Sequence, residues 1–366
     1  MMNESPTKYP AFACTYSPEI PKLLNELGCT ITISTYQAGK IVFVSPNGPE
    51  KLVQLPRTFK KAMGIAYKKG KMAVACLDEV ILLANSPQLA QFYPNKPNIY
   101  DALFVPRATY HTGFLDIHDL EFGNDGIYGV NTYFSCLIKI DEHYNFTPIW
   151  QPPFITGLAS EDRCHLNGMA MLNGQPKYAS AFNQGNTPRS WKADITQTGV
   201  LMDVESNEIV ANKLPMPHSP RIYRNKTYLL LSATGEFVEV DPITSNYTVI
   251  AKIDGFVRGL DFIGDYAFIG LSKIRKKEGV AFSQLPIADK ATYSGVVVIN
   301  LKTGQNVGLI RYYESVEEIY DIKILPGIRR PNILNTISED HKKAVMIPTT
   351  TYWGKNPEKD TETTQN

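Results

Sequence analysis

The sequence predicts an all-β protein, a single β-propeller of six blades with a short N-terminal helix, and three observations carry that expectation. Gly (25), Pro (25), Tyr (20) and Phe (16) are abundant in this chain of 366 residues, a composition that favours strands and turns over long helices. More than a dozen short β-branched or aromatic runs follow one another after residue 30 with almost no helical periodicity between them, which excludes parallel α/β folds. One segment type recurs six times at intervals of 39 to 60 residues, as happens when a four-stranded unit is repeated around an axis.

In chain order, the helix comes first. Ser17 stands where a cap is needed, Pro21 falls in the first turn, and Ile20, Leu23, Leu24 and Leu27 share one face. The strand-like runs begin with ITIST (31–35) and KIVFVS (40–45) and continue through MAVACL, VILLAN, GIYGVNTYF, CLIKID, KYASAF, GVLMDV, TYLLLSA, FVEVD, YTVIAKI, YAFIGLS, GVVVINL and VGLIRY. The recurring segments open at Met63, His118, His165, Ser219, Arg258 and Glu318, and each is expected to supply the strand nearest the axis, so that their opening residues meet at one mouth of the channel. The first two runs precede every such segment, so they are expected to complete the last blade and close the ring, leaving no exposed sheet edge there. The domain division is then an extension over 1–29, a propeller over 30–353 and a disordered tail over 354–366, where the sequence is polar and aperiodic.

Charge and cysteine usage narrow the class. Lys+Arg 37 against Asp+Glu 36 gives a net charge of +1, without the field of a nucleic-acid-binding protein. Ile274-Arg275-Lys276-Lys277 reads as a solvated loop. Five scattered cysteines, with no CxxC pair, suit a reducing compartment. No basic patch followed by an apolar run opens the chain, and no apolar stretch is long enough to span a bilayer. A soluble, cytoplasmic protein without a membrane partner is expected.

His118, His165 and His218 lie in or beside three consecutive segments. Three separate blades can donate neutral imidazoles to one divalent metal ion, with Glu318 or Glu161 adding a carboxylate; the alternative is that the rings are hydrogen-bonding groups lining a wet channel. The stretch Glu161-Asp162-Arg163-Cys164-His165 is dense in reactive side chains. Arg163 can fork onto a carboxylate or phosphate, and Glu161 or Asp162 can act as acid or base. Cys164 is read as a small buried residue in preference to a reactive thiolate. Two prolines hold His218 and Arg221 in Met216-Pro217-His218-Ser219-Pro220-Arg221, and Arg221 and Arg258, with Arg163, are candidates for recognising an anion. Motifs for nucleotide, serine-hydrolase, zincin and dinucleotide chemistry are absent.

The motifs EDRCHLNG (161–168), PMPHSPR (215–221), GFVRGLDF (255–262), AFIGLSKIR (267–275), EEIYDIKILPG (317–327) and STYQAGK (34–40) resemble those of the uncharacterised TIGR03032 family, also described as the domain of unknown function DUF4915, over about residues 30–331. The resemblance implies a propeller-like fold and no particular reaction. It marks Glu161, Asp162, Arg163, Cys164, His165, Asn167, His218, Ser219, Arg221, Arg258 and Lys273. The chain departs from the family pattern at NQGNTPRSWK (183–192), where Trp191 is kept and Lys192 stands in place of an arginine.

These residues point to an enzyme whose channel-mouth site, His165, Glu161, Asp162, Arg163, Arg221 and Arg258 with a metal on His118, His165, His218 and Glu318, acts as a lyase or hydrolase on an acidic small molecule or saccharide. The alternative is a non-catalytic binding or scaffolding propeller that recognises an anionic group of a protein partner.

Overall fold

The computed structural model describes residues 9–94, 96–274, 282 and 285–355. Six sheets surround one axis. In chain order, the innermost strands of blades 1 to 6 are Ile65–Lys68, Ile117–Phe122, Leu166–Leu172, Pro217–Tyr223, Phe256–Ile263 and Asp321–Pro326, and each touches the innermost strands of its two neighbours. Blade 6 takes that innermost strand from the C-terminal part of the chain. Its other three, Cys29–Thr35, Lys40–Pro46 and Leu52–Thr58, come from the N-terminal part, with Ser34 opposite Asp321 and Cys29 opposite Pro326. The ring closes as the sequence predicts.

Two blades carry a fifth strand. Cys14–Tyr16 pairs with the outer edge of blade 5, and Pro331–Ile333 runs parallel to Ala102–Phe104 on blade 1. Beyond it the hairpin Ala344–Met346/Thr351–Trp353 packs on Leu89, Tyr93 and Tyr100. The helix Glu19–Leu27 buries Ile20, Leu23 and Leu24 between blades 5 and 6. The Ser17 side chain does not cap this helix; its Oγ accepts from Leu309 N at 3.0 Å and ties the segment to blade 5. Arg275–Lys277 and residues 356–366, most of the expected tail, lie outside the described residues.

Sequence patterning passes over the fourth strands of blades 6, 1, 2 and 3, counted from the axis: Leu52–Thr58, Ala102–His111, Thr147–Trp150 and Ile209–Leu214. Three of them contain a proline, Pro56, Pro106 or Pro148. An outer strand has one unpaired edge and tolerates the missing N–H that a central strand does not. Because it is half exposed, it also lacks the apolar run that marks an inner strand.

At the axis, odd and even blades differ. Gly64, Gly168 and Gly259 of blades 1, 3 and 5 face Asp119, Pro220 and Asp321 of blades 2, 4 and 6; a Cβ on these glycines would come within 2.9 Å of the Asp119 backbone, 2.3 Å of Pro220 Cδ and 3.0 Å of the Asp321 backbone. This level is the waist of the channel. Hydrogen bonds lock it from blade to blade: Met169 N donates to Asp119, Ile324 N to Asp261 and Ile65 N to Asp321. Hydroxyls near the ends of second strands, Thr132, Ser232, Ser272 and Ser34, donate to carbonyls where the next blade begins.

All five cysteines are free thiols. No described helix is long and apolar enough to cross a membrane.

Candidate functional site

Above the waist, the loops that enter the innermost strands turn through left-handed backbone. Asp116 (φ 55°), Asp162 (49°), His165 (50°), Met216 (52°) and Ser219 (50°) all adopt it, a conformation that Asp and His tolerate better than most residues and that costs free energy elsewhere. The pairing of first and second strands is also out of register at this end in blades 2, 3, 4 and 5, between the partners of Ile117 and Leu120, Leu166 and Gly168, His218 and Arg221, and Val257 and Leu260. Bulges of this kind re-aim side chains. Here they help bring side chains of several blades into one cavity of about 240 Å3, lined by His118, His165, His218, Arg258 and Glu318 together with Asp116, Lys273, Tyr320 and aromatic walls.

The three histidines do not reach the cavity in phase. If Gly64, Asp119, Gly168, Pro220, Gly259 and Asp321 mark one level, His118 stands one residue before it, His218 two and His165 three. Irregular loops make up the difference, so the apparent recurrence is not a true repeat.

Every imidazole is tied back through Nδ1. His165 Nδ1–H donates to Asp162 Oδ1 at 3.0 Å, and Asp162 Oδ2 accepts from Trp191 Nε1 at 2.9 Å. His118 Nδ1–H donates to the Asp116 carbonyl at 2.9 Å. Ser232 Oγ gives its proton to Val257 O at 2.5 Å and therefore accepts from His218 Nδ1 at 2.6 Å. Nε2 is left as the ring nitrogen for a ligand, with no hydrogen bond among the described residues. Burial, reinforced by the nearby Arg258 charge, holds His118 and His218 well below the usual histidine range, so both are neutral at pH 7. Burial likewise raises the Asp116 carboxyl.

Aromatic rings fix these groups. His118 and His165 meet edge to face at 4.9 Å between centroids, and His165 also packs on Phe182 (4.5 Å) and Trp191 (4.4 Å). Phe182 touches His218 as well, at 5.1 Å. The Arg258 guanidinium lies 3.3 Å from the centre of the Tyr320 ring and pairs with Glu318 at 3.2 Å. Among the described residues, no three His, Cys, Asp or Glu side chains are placed to hold a metal ion. Glu318, expected beside the histidines as a ligand, is engaged by Arg258.

Three residues expected at this mouth have other partners. Arg163 donates to Glu161 at 2.7 Å and to Asn186 at 2.9 Å, so these two charges satisfy each other in the loop and do not line the cavity. Arg221 lies below the waist. It forks onto Asp119, with Nη1 2.7 Å from Oδ2 and Nη2 3.1 Å from Oδ1, and donates to Leu260 O, Met169 O and Pro220 O. Asp321 is 3.5 Å away, and Glu121 joins the cluster through Lys323. Burial raises Asp321 to about 7 despite these cations. Of the three arginines, only Arg258 faces the cavity. Burial pushes the Cys164 thiol up to about 12, which makes it inert.

Sequence reasoning missed Tyr36, Asp116, Phe182, Phe256 and Tyr320 as lining residues. Aromatics on an apolar strand read as core. Asp116 left no distinct signal, because the group it offers His118 is a backbone carbonyl, as Met216 offers His218.

No curated protein matches the chain. Among solved structures, one from a nidogen/laminin complex is similar at 11% identity and a TM-score of 0.48, covering 82% of this chain and 99% of that one. The WD40 domain of Neurospora crassa Pan2 is similar at 11% identity and a TM-score of 0.38, over 67% of this chain and 64% of that one. The model of one family, a domain of unknown function (DUF4915), matches residues 18–334, which span all six blades and the cavity, and the chain belongs to that family.

Proposed function

We propose that the chain is an enzyme of the acid–base type, a lyase or hydrolase that takes an acidic small molecule or saccharide unit into the cavity above the waist. The observation that carries this reading is the Asp162–His165 pair at the wall of the cavity. A carboxylate on Nδ1–H fixes the tautomer, so the Nε2 lone pair faces a substrate and can accept a proton from carbon or from water. Trp191, on the other oxygen of Asp162, holds the pair in place. Arg258 and Lys273 on the wall favour an anionic substrate. The volume of about 240 Å3 is below the roughly 300–1,000 Å3 of sites for drug-sized ligands, which suits one small molecule or one sugar unit.

The test uses methyl glucuronoside and lactate in D2O at neutral pH, with proton NMR following the hydrogen next to the carboxylate. Loss of that signal with the wild type, and not with His165→Ala, supports the reading. Equal behaviour of the two proteins sinks it in favour of the non-catalytic binding propeller.

A divalent cation held by His118, His165 and His218 is the second reading. It is favoured by the tied-back Nδ1 atoms, which is how ligating histidines are oriented, and it requires the rings to move together. Stoichiometric Zn2+ uptake that disappears in His165→Ala supports it; no uptake removes it.

A further inference from the structure

At the floor of the cavity, two buried donors have nothing to donate to among the described residues. Tyr320 is 5% exposed and its Oη has no hydrogen-bond partner; neither has Arg258 Nη2, although Arg258 Nη1 reaches Glu318 at 3.2 Å. Buried hydroxyl and guanidinium N–H groups without acceptors are uncommon in folded proteins and call for a missing partner. The two residues are stacked on one another. The guanidinium is 3.3 Å from the ring centre, and the ring is held on its other contacts by Tyr36 (5.9 Å) and the edge of His118 (5.1 Å).

The chemistry on offer is one-sided. Burial holds the Tyr320 hydroxyl well above the usual tyrosine range, so it keeps its proton and acts as a donor. Arg258 is a donor only. Lys273 also lines the cavity, and its ammonium makes no hydrogen bond or ion pair among the described residues. The acids present are already used in part: Glu318 pairs with Arg258, and the raised Asp116 carboxyl lies 3.6 Å from His118 Nδ1.

We propose that the Tyr320–Arg258 pair is a binding site for a single carboxylate, one oxygen taken by Tyr320 Oη–H and the other by Arg258 Nη2–H, and that this site fixes the acid group of the substrate. It rests on the reading of the cavity given above and names the part of the substrate that is recognised. A donor pair of this kind, an O–H and a guanidinium N–H, matches the two oxygens of a planar carboxylate. Both donor atoms are closed off in the structure, so a small shift of the guanidinium and of the Tyr320 ring is needed to open them to the ligand.

The site is tested with formate, the smallest carboxylate, by following the melting temperature of the full chain at constant ionic strength with chloride as the control ion. The wild type should show a saturable rise with formate. Tyr320→Phe should bind formate about tenfold more weakly, as expected for one hydrogen bond to a charged group, and Arg258→Gln should lose the response. Without formate Tyr320→Phe should melt no lower than the wild type, because it removes an unpartnered hydroxyl; that readout separates a lost site from a damaged fold. His165→Ala should keep the formate response, so the acid–base reading can fail while this site stands. An equal response in wild type and Tyr320→Phe, or no response in the wild type, overturns the proposal.

Discussion

Arg221 grips Asp119 across the channel, from blade 4 to blade 2, with both carboxylate oxygens engaged at 2.7 and 3.1 Å. The pair is buried, and the two strands that carry it are joined through blade 3, whose Met169 N donates to the same Asp119 oxygen at 3.0 Å. Removing one partner therefore leaves the other charge without its closest counter-ion, among groups that are largely buried.

The first prediction follows from that pair. Arg221→Met should destabilise the protein by about 3–5 kcal/mol, the usual cost of breaking one side of a buried ion pair. Urea denaturation checks it. Arg221→Met combined with Asp119→Leu should cost less than the two single changes added together, because the second change removes the charge that the first one strands.

Histidine burial gives a pH dependence. His118 and His218 are held well below their unfolded range by burial, so below about pH 6.5 the unfolded chain binds protons that the folded chain refuses. The stability they contribute is complete above that pH and is lost as pH falls. In His218→Phe the slope of stability against pH between 6.5 and 5 should flatten by up to about 1.4 kcal/mol per pH unit, measured by thermal melts across that range.

Asp321 acts in the opposite sense. Burial raises its carboxyl to about 7, so between the unfolded value of 3.8 and 7 the folded chain holds a proton that the unfolded chain has released. Its contribution falls as pH rises through that window. Asp321→Asn should remove this decline, and melts of the variant should show a steeper net gain in stability from pH 4 to 7 than melts of the wild type. A variant with the wild-type profile would mean that Asp321 is ionised throughout.

Asp162 is a positioning residue for His165. Asp162→Asn should lower any proton exchange catalysed in the cavity by about 10–100-fold, the range typical of losing a group that orients an imidazole. Far-UV circular dichroism should stay unchanged. Glu161→Gln, which alters only the partner of Arg163 outside the cavity, should leave the exchange rate as it is.

Packing at the waist can be tested at Gly168. A Cβ there would stand 2.3 Å from Pro220 Cδ and 2.8 Å from Ser180 Oγ, and the proline ring cannot turn away. Gly168→Ala should cost about 1–3 kcal/mol by urea denaturation. Gly157→Ala, with nothing within 4 Å of the added carbon, serves as the control.

The ring, its blade count and its closure were legible because the middle strands of the blades are mostly apolar runs, and one repeated segment gives the period. Leu52–Thr58 and Thr147–Trp150 were not, since a half-exposed outer strand with a proline has no such run. In the cavity, His118, His165, His218 and Arg258 stood out as polar residues at strand starts. Tyr320 could not, because an unpartnered hydroxyl is a property of its surroundings and leaves no trace in the residues beside it. Arg221 was misplaced for a related reason. Two residues along a strand decide whether a side chain lies above or below the waist, and the bulge between His218 and Arg221 is not written in the spacing.

Blade 6 also constrains how the protein is made. Its strands Cys29–Thr35, Lys40–Pro46 and Leu52–Thr58 leave the ribosome early, whereas their inner neighbour Asp321–Pro326 is synthesised after the first four strands of each of the other five blades. At about 5–20 residues per second the wait lasts about 10–50 s. Throughout that interval Cys29–Thr35, a strand rich in β-branched residues, presents a bare edge able to pair with another nascent chain. A truncated product ending before Asp321 would carry the same bare edge permanently, so premature termination in the last blade should yield aggregates and not a smaller soluble ring.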